Sequence, residues 1–132
     1  MSADTAAVVA AWVLSAQPTL GTGRLLCVDG PAGSGKTTLA GALVECLRAA
    51  GATVQLVHMD DVYAGWAGLK EGMATFSESV VDPLRAGETG RYRRYDWEQG
   101  AYAEEHEVPP CDVLVVEGVG SGAATYLSLI HI

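Results

Sequence analysis

Apolar positions along this chain follow two different spacings. Three short apolar runs, each bounded by turn residues, are typical of buried strands; they are Arg24 to Val28, Thr53 to His58 and Asp112 to Val116. Two other segments, Thr5 to Gln17 and Thr38 to Ala50, have apolar residues three and four positions apart, which predicts helices. Because strands and helices alternate, the sequence predicts an α/β fold with a parallel sheet.

The first predicted helix has one apolar stripe. Its members are spaced so that they lie on the same side of a helix; they are Val8, Val9, Trp12 and Val13. We therefore expect this helix to pack against the edge of the sheet through that stripe.

A long insert separates the second and third strands. It begins with a glycine-rich stretch, Ala64 to Thr75, that predicts a loop or short helix, and continues with Phe76 to Arg85, a helix bent or ended near Pro83. Arg91 to Trp97 then interleaves basic and aromatic residues, and a polar return through Ala101 to Val108 predicts an antiparallel hairpin. The same side chains could clamp a phosphate or stack on a substrate ring, and both interpretations can hold together.

The segment between the first strand and the second helix reads GPAGSGKTT. It fits the pattern G-x-x-x-x-G-K-[ST] in the strand–loop–helix context that a phosphate-binding P-loop requires. Glycines let the backbone approach a phosphate, while loop amides and the helix N-terminus direct donors at the anion. The alternative is an ordinary glycine turn that opens a helix. The predicted nucleotide-binding residues are Gly30, Pro31, Ala32, Gly33, Ser34, Gly35, Lys36, Thr37 and Thr38.

Four residues in and after this loop are candidates for chemistry with ATP and Mg²⁺. Lys36 would reach the β- and γ-phosphates, and the Thr37 hydroxyl would hold Mg²⁺. Glu117 follows the third strand, and an acidic residue there is typical of a second Mg²⁺ contact. Asp60 follows the second strand and reaches the same sheet edge, where it could act as a general base. Alternatively, Asp60 and Asp61 only cap the next segment.

The composition indicates one globular domain, residues 1–132, and excludes several classes of protein. Hydrophobic residues make up 49% of the chain and the formal net charge is −8. This charge argues against a nucleic-acid or anionic-membrane surface, which needs clustered Lys and Arg. The apolar run Ala6 to Leu14 is too short to span a bilayer.

The cysteines and histidines form no metal-binding pattern. The cysteines contain no CxxC, so we expect buried, reduced thiols in a cytoplasmic protein. The histidines are scattered, which favours isolated side chains over a zinc site. The residues concerned are Cys27, Cys46, Cys111, His58, His106 and His131.

Four motifs, in order, resemble one family: DGPAGSGKTT, MDDVY, RYDW and LVVEGVGSG. They are similar to the uridine kinase and phosphoribulokinase-like group of P-loop kinases. The resemblance implies ATP-dependent transfer of phosphate to a small hydroxyl compound, with Asp60 as the catalytic aspartate and Glu117 near Mg²⁺. It also implies that Tyr63 contacts a nucleoside and that the Tyr-Asp-aromatic segment lies near the base. The substrate-binding candidates are Tyr63, Arg94, Tyr95 and Asp96.

The chain departs from this family in two respects. Gly100 stands where uridine kinases usually have a base-reading histidine, which leaves the identity of the acceptor open. The family has a five-stranded parallel sheet, commonly in the order 2-3-1-4-5, and an arginine-bearing lid. We expect this chain to supply three of those strands, so that it forms the N-terminal part of a three-layer P-loop fold. The ending, residues 126–132, resembles a frameshift product of a truncated gene.

Two alternatives to a small-molecule kinase remain at this point. A P-loop switch or transport ATPase would use nucleotide binding to drive a partner, but the D-x-x-G, N-K-x-D and L-S-G-G-Q motifs are missing from the sequence. A non-catalytic nucleotide-binding fragment is the other alternative. Association of identical chains, which is common among related kinases, also stays open.

Overall fold

A computed structural model describes residues 3–29, 35–63, 69–118 and 129–131 of the chain. These residues form four α-helices, α1 to α4, and six strands, β1 to β6. A 3₁₀ turn, Met59–Asp61, follows β2, and a π-helical turn, Ser77–Val81, joins α3 to α4. In chain order the bounds are α1 Ala3–Ser15, β1 Arg24–Asp29, α2 Lys36–Ala49, β2 Val54–His58, α3 Leu69–Phe76, α4 Asp82–Arg85, β3 Gly90–Asp96, β4 Ala101–Val108, β5 Val113–Glu117 and β6 Leu129–His131.

The central sheet is parallel and has the strand order β2-β5-β1-β6. β5 therefore lies between β1 and β2, with Glu117 paired to Val28 on one side and to His58 on the other. The predicted α/β class with a parallel sheet is confirmed. The expectation of three sheet strands is wrong, because β6 adds a fourth beside β1. Its short apolar sequence lies in the ending that resembled a frameshift product.

Apolar side chains cover both faces of this sheet. Along β1, Leu26 and Val28 face one core cluster and Leu25 and Cys27 face the other, as the twofold alternation of a strand requires. The first cluster contains residues of α1 and α2, and the second contains the insert between β2 and β5. A strand buried on both faces reads as a continuous apolar run, which is why the sequence revealed these strands.

Helix α1 packs through a stripe that matches the predicted one only in part, because Val13 is buried and Val9 packs against the same core as expected. Ala6, Ala10 and Val13 are buried, in the same core cluster as residues of α2 and β1. Val8 and Trp12, by contrast, are 69% and 59% exposed. The small alanine side chains allow α1 to approach α2 closely, so the buried stripe includes Ala6 and Ala10 in place of Val8 and Trp12.

The insert forms a helical layer and a hairpin. α3, the π-helical turn and α4 follow one another without a gap, and Pro83 lies in the first turn of α4 rather than at its end. Pro83 has no N–H for a carbonyl in the preceding turn, and the first turn of a helix tolerates that loss. β3 and β4 pair antiparallel, with an irregularity between Arg93 and Tyr95, so the predicted hairpin is confirmed.

All three cysteines are free thiols, as expected. Cys27 is buried in β1, whereas Cys46 and Cys111 are half-buried. Burial, with a further effect of the Asp29 charge, raises the pKa of the Cys27 thiol to about 12. Burial also raises the pKa of Cys111. Of the helices described, none is long and apolar enough to span a bilayer.

Candidate active site

The glycine-rich loop leads directly into α2. Residues 30–34, five of the predicted nucleotide-binding residues, lie outside the described part of the structure, and so does the side chain of Lys36. Gly35 precedes the helix with φ of 88°, a left-handed conformation that favours glycine. The amide of Leu39 donates to the carbonyl of Gly35, so the amides of Lys36, Thr37 and Thr38 begin the helix without acceptors in it. This N-terminus has the donors and dipole that favour an anion.

Glu117 is a buried carboxylate at the carboxyl end of β5. Its exposed fraction is 4%, and it is the buried charged residue of the described core. The Thr37 hydroxyl donates to its Oε1 atom at 3.1 Å, and Nδ1 of His58 lies 2.7 Å from the same oxygen. Two predicted Mg²⁺ contacts, 80 positions apart in sequence, are therefore neighbours in the fold.

His58 is a site residue that the sequence analysis missed. It ends β2 and is paired in register with Glu117 in β5, which brings its ring to the carboxylate. The sequence did contain a signal, because both residues end predicted strands that are adjacent in the strand order of the resembled family. The two residues are 59 positions apart in the chain, so their proximity depends on the pairing of β2 with β5.

The oxygen atoms of Thr37 and Glu117 are suitable ligands for a magnesium ion. Mg²⁺ prefers oxygen ligands, and one or two protein oxygens with water and phosphate are its usual set. Thr37 offers a hydroxyl oxygen, and Oε2 of Glu117 has no hydrogen-bond partner among the described residues. Within the same residues, no group of three or more His, Cys, Asp or Glu side chains could hold a metal by itself. The geometry therefore fits a cation shared with a bound phosphate.

Asp60 lies in the 3₁₀ turn after β2. The residue is exposed, and its carboxylate makes no hydrogen bond with the described residues. The capping alternative for Asp60 and Asp61 concerns the segment that follows, whose first residues, 64–68, lie outside the described part of the structure, so that alternative stays open. The main-chain carbonyl of Asp60 accepts a hydrogen bond of 2.7 Å from the indole N–H of Trp97. The hairpin is thus attached to the segment that carries the candidate base.

The other substrate-binding candidates have structural contacts. Tyr63 is 2% exposed and belongs to the core cluster beneath the insert. The Asp96 carboxylate accepts hydrogen bonds from the main-chain amides of Glu98 and Gln99 and so closes the hairpin turn. Arg94 binds Glu104 through Nε at 2.5 Å and lies 3.8 Å from Asp96. These contacts account for Tyr63 as part of the core and for Arg94 and Asp96 as parts of the hairpin, without a ligand.

Charge pairing on the hairpin shifts two pKa values. The Arg94 hydrogen bond, followed by that of His106, lowers the pKa of the Glu104 carboxyl to about 2. The same bond raises the pKa of Arg94. Burial, then the nearby charges of Asp61 and Glu104, raises the pKa of Tyr92. The Asp61 effect indicates that the hairpin and the segment after β2 are also close electrostatically.

Aromatic rings and arginines surround a cleft of about 390 Å³ between the hairpin and the helical layer. The Tyr95 ring is perpendicular to the rings of Trp97 and Tyr102, at centroid distances of 6.1 and 5.3 Å. The Arg93 guanidinium lies 5.9 Å from the Tyr102 ring centroid. A cleft of this size can hold a small organic molecule. Its lining residues are Val62, Thr75, Ser79, Arg91, Tyr92, Arg93, Tyr102 and Glu105.

Solved structures with a similar fold are kinases. A protein from Bacillus stearothermophilus described as a possible uridine kinase superposes with a TM-score of 0.68 and 26% identity, over 88% of this chain and 70% of that one. A fructose transport system kinase from Silicibacter sp. TM1040 gives 0.68 and 24%, over 90% of this chain and 64% of that one. D-glycerate 3-kinase from Cryptococcus neoformans gives 0.61 and 17%, over 89% and 52%. The fold is that of the P-loop kinases.

The P-loop kinase fold accounts for the strand order and for the position of the site. The order β2-β5-β1-β6 corresponds to 2-3-1-4 of the resembled family when only the sheet strands are numbered. Thr37, Glu117, His58 and the turn with Asp60 all lie at the carboxyl ends of the parallel strands, where open α/β sheets bind ligands. The resemblance inferred from four motifs is therefore confirmed at the level of fold.

Sequence comparison gives one curated relative, which matches part of the chain. A tRNA dimethylallyltransferase from Polynucleobacter asymbioticus is 37% identical in an alignment 78 residues long, which covers 54% of this chain. The chain spans 23% of the length of that curated relative. No family model matches the sequence.

Proposed function

We propose that this P-loop kinase-fold protein transfers a phosphoryl group from ATP to the hydroxyl of a small molecule, with nucleosides as the first acceptor class to test. The observation that carries the proposal is the 3.1 Å hydrogen bond between Thr37 and Glu117. It joins the helix that follows the glycine loop to the acid at the end of the neighbouring strand. Phosphoryl transfer needs this combination of a phosphate-binding N-terminus and oxygen ligands for Mg²⁺.

The binding roles follow from the elements that hold each residue. Residues 30–38 would bind the phosphates through backbone amides and Lys36. Thr37 and Glu117 would hold Mg²⁺, which when bound neutralises charge on the phosphates. The buried position of Glu117 excludes competing water from one side of that pair, and this strengthens its attraction for a cation.

Asp60 is the proposed proton acceptor. Its exposed carboxylate, without a partner among the described residues, is available to the hydroxyl of an incoming acceptor. The acceptor would enter between the hairpin and the helical layer, near Val62, Tyr92 and Tyr102. Tyr63, Arg94 and Asp96 would act indirectly, by supporting the walls of this region, because their observed contacts are within the core and the hairpin. Tyr95 is not among the residues that line this cleft; its ring contacts that of Tyr102, which does line it, so Tyr95 would support the wall in the same way.

The cellular setting is part of the same proposal. The free thiols suit a reducing compartment, and we propose the cytoplasm. The net charge of −8 makes a nucleic-acid partner a poor candidate in spite of the tRNA-modifying relative. The expected partners are a nucleoside triphosphate and a small acceptor.

The direct test is a thermal-shift titration of the chain with Mg-ATP. A ligand that binds only the folded state stabilises it by about 2.7 kcal/mol at a hundredfold excess over Kd. Lys36→Ala should abolish the rise in melting temperature, whereas Lys70→Ala, which removes the other lysine of the chain, should retain it. A cooperative transition without any shift from Mg-ATP would contradict the proposal.

An acceptor screen then separates a kinase from an ATPase. ATP consumption is measured with nucleosides, sugars and sugar acids in turn, beside a reaction without acceptor. Consumption that depends on one acceptor class supports the kinase. Consumption that is the same without any acceptor would favour a P-loop ATPase instead.

A further inference from the structure

His58 and Thr37 bind the same oxygen of Glu117 from two different elements. Nδ1 of His58 lies 2.7 Å from Oε1, and Oγ1 of Thr37 lies 3.1 Å from it. Oε2 makes no hydrogen bond with the described residues. The carboxylate is therefore held through one oxygen, and the other remains available.

The bond to His58 defines the chemistry of both side chains. A carboxylate only accepts hydrogen bonds, so Nδ1 of His58 carries the proton. Thr37 has one hydroxyl hydrogen, and it donates this hydrogen to Oε1, which leaves its lone pairs for a cation. Without His58, Thr37 alone would have to hold a side chain with three rotatable bonds, and Glu117 would lose part of its preorganisation.

We infer that His58 is the positioning residue that orients Glu117 for the magnesium ion of the nucleotide. It acts through Glu117 and does not itself touch the substrate. The inference rests on the proposed function, since it assigns a role within the Mg-ATP site. It depends on the hydrogen bond and the strand register, in which His58 and Glu117 are paired residues of β2 and β5.

The main test compares nucleotide affinity with and without the metal. Kd for ATP is measured by calorimetry in excess Mg²⁺ and in EDTA. The Kd in EDTA divided by the Kd in Mg²⁺, called the Mg²⁺ ratio, reports how much the metal strengthens binding. Loss of a residue that orients a metal ligand typically costs 10- to 100-fold in metal affinity. His58→Ala should therefore lower the ratio by about tenfold or more, without changing the affinity for ATP in EDTA. His58→Asn keeps an N–H near the position of Nδ1 and should restore most of the ratio.

His106 provides a matched control. It makes a comparable contact with Glu104, at 2.8 Å, on the hairpin. His106→Ala should leave the Mg²⁺ ratio unchanged. An unchanged ratio in His58→Ala, or an equal loss in His58→Asn and His58→Ala, overturns the role of His58.

A measurement on the ligand-free wild-type chain covers the case in which His58→Ala does not fold. Imidazole ¹⁵N NMR reports which ring nitrogen carries the proton, and the expected result is a protonated Nδ1 for His58. A neutral ring protonated only at Nε2 overturns the inference without any variant. If Mg-ATP does not bind the wild-type chain, the proposed function and this inference both fail. If Lys36→Ala abolishes binding but His58→Ala keeps the Mg²⁺ ratio, the inference fails alone.

Discussion

Trp97, in the turn directly after the hairpin strand β3, donates its indole N–H to the main-chain carbonyl of Asp60, 2.7 Å away. The two residues are 37 positions apart in the chain. Asp60 is the proposed general base. This bond therefore connects the hairpin, which lines the proposed substrate cleft, with the residue expected to take a proton from the substrate hydroxyl. The position of the hairpin and that of the turn after β2 should therefore change together.

Trp97→Phe should loosen this connection. The substitution removes the N–H but keeps an aromatic ring, and we expect a loss of about 0.5–1.5 kcal/mol in the free energy of unfolding. Hydrogen exchange of the hairpin amides and of residues 60–62 should become faster in parallel. Tyr102→Phe is the control, since the Tyr102 hydroxyl makes no hydrogen bond with the described residues. Faster exchange in the hairpin alone would contradict the coupling.

Asp60→Asn should abolish most of the catalysis and leave nucleotide binding intact. An amide cannot accept the proton of the acceptor hydroxyl, and a positioned base contributes about 10²- to 10⁴-fold to the rate. The neighbouring Asp61→Asn removes the same charge one position later and should lower the rate far less. The comparison requires steady-state rates and Mg-ATP affinity for both variants. Equal rate losses in the two would show that charge near the site, rather than Asp60 itself, matters.

Gly118→Ala should destabilise the fold next to the site. Gly118 follows Glu117 with φ of 150°, and a Cβ at this position would lie 2.8 Å from Cβ of Met59. The strained backbone and the overlap should together cost about 1–3 kcal/mol in the free energy of unfolding. Gly41→Ala is the control, because a Cβ there meets nothing within 4 Å in the middle of α2. That change should stabilise the protein by about 0.5–1 kcal/mol, and denaturant unfolding measures both effects.

The pair of Arg94 and Glu104 should respond to pH. The pKa of Glu104 is lowered from 4.5 to about 2, so its stabilising effect is complete above about pH 4.5 and is lost as the pH falls towards 2. A carboxyl ¹³C titration should find this low midpoint, and Arg94→Met should raise it towards 4.5. High salt should also raise it, because the pair is exposed. Arg91→Met should leave the midpoint near 2, since Arg91 pairs with Glu107 instead.

Cys27 should be unreactive in the folded chain. Its pKa is raised from 9.0 to about 12, so the thiol stays neutral at pH 8 and is also buried. Brief alkylation followed by mass spectrometry should modify Cys46 and Cys111 before Cys27. The raised pKa contributes stability that is complete below about pH 9 and is lost as the pH rises towards 12. Labelling of all three thiols at equal rates would indicate that β1 opens readily.

The hairpin shows what the residue pattern could predict and what it could not. Alternating side chains in Arg91 to Trp97 and the polar return through Ala101 to Val108 predicted two antiparallel strands, and β3 and β4 confirm them. The pattern could not indicate that Arg94 pairs with Glu104, or that Asp96 closes the turn. The strand register changes between Arg93 and Tyr95, next to Arg94, and the residue pattern did not predict this irregularity.

The chain by itself determined the elements that arise from local physical preferences. A strand buried on both faces is apolar throughout, and a P-loop has glycines, a lysine and a threonine at fixed spacing, here with Lys36 and Thr37. Both patterns can therefore be recognised in the sequence. The tertiary structure alone decided which face of α1 is buried, that β6 joins the sheet, and that His58 lies against Glu117. These outcomes depend on contacts between residues distant in the chain, where shape complementarity and strand register, rather than residue type, determine which groups meet.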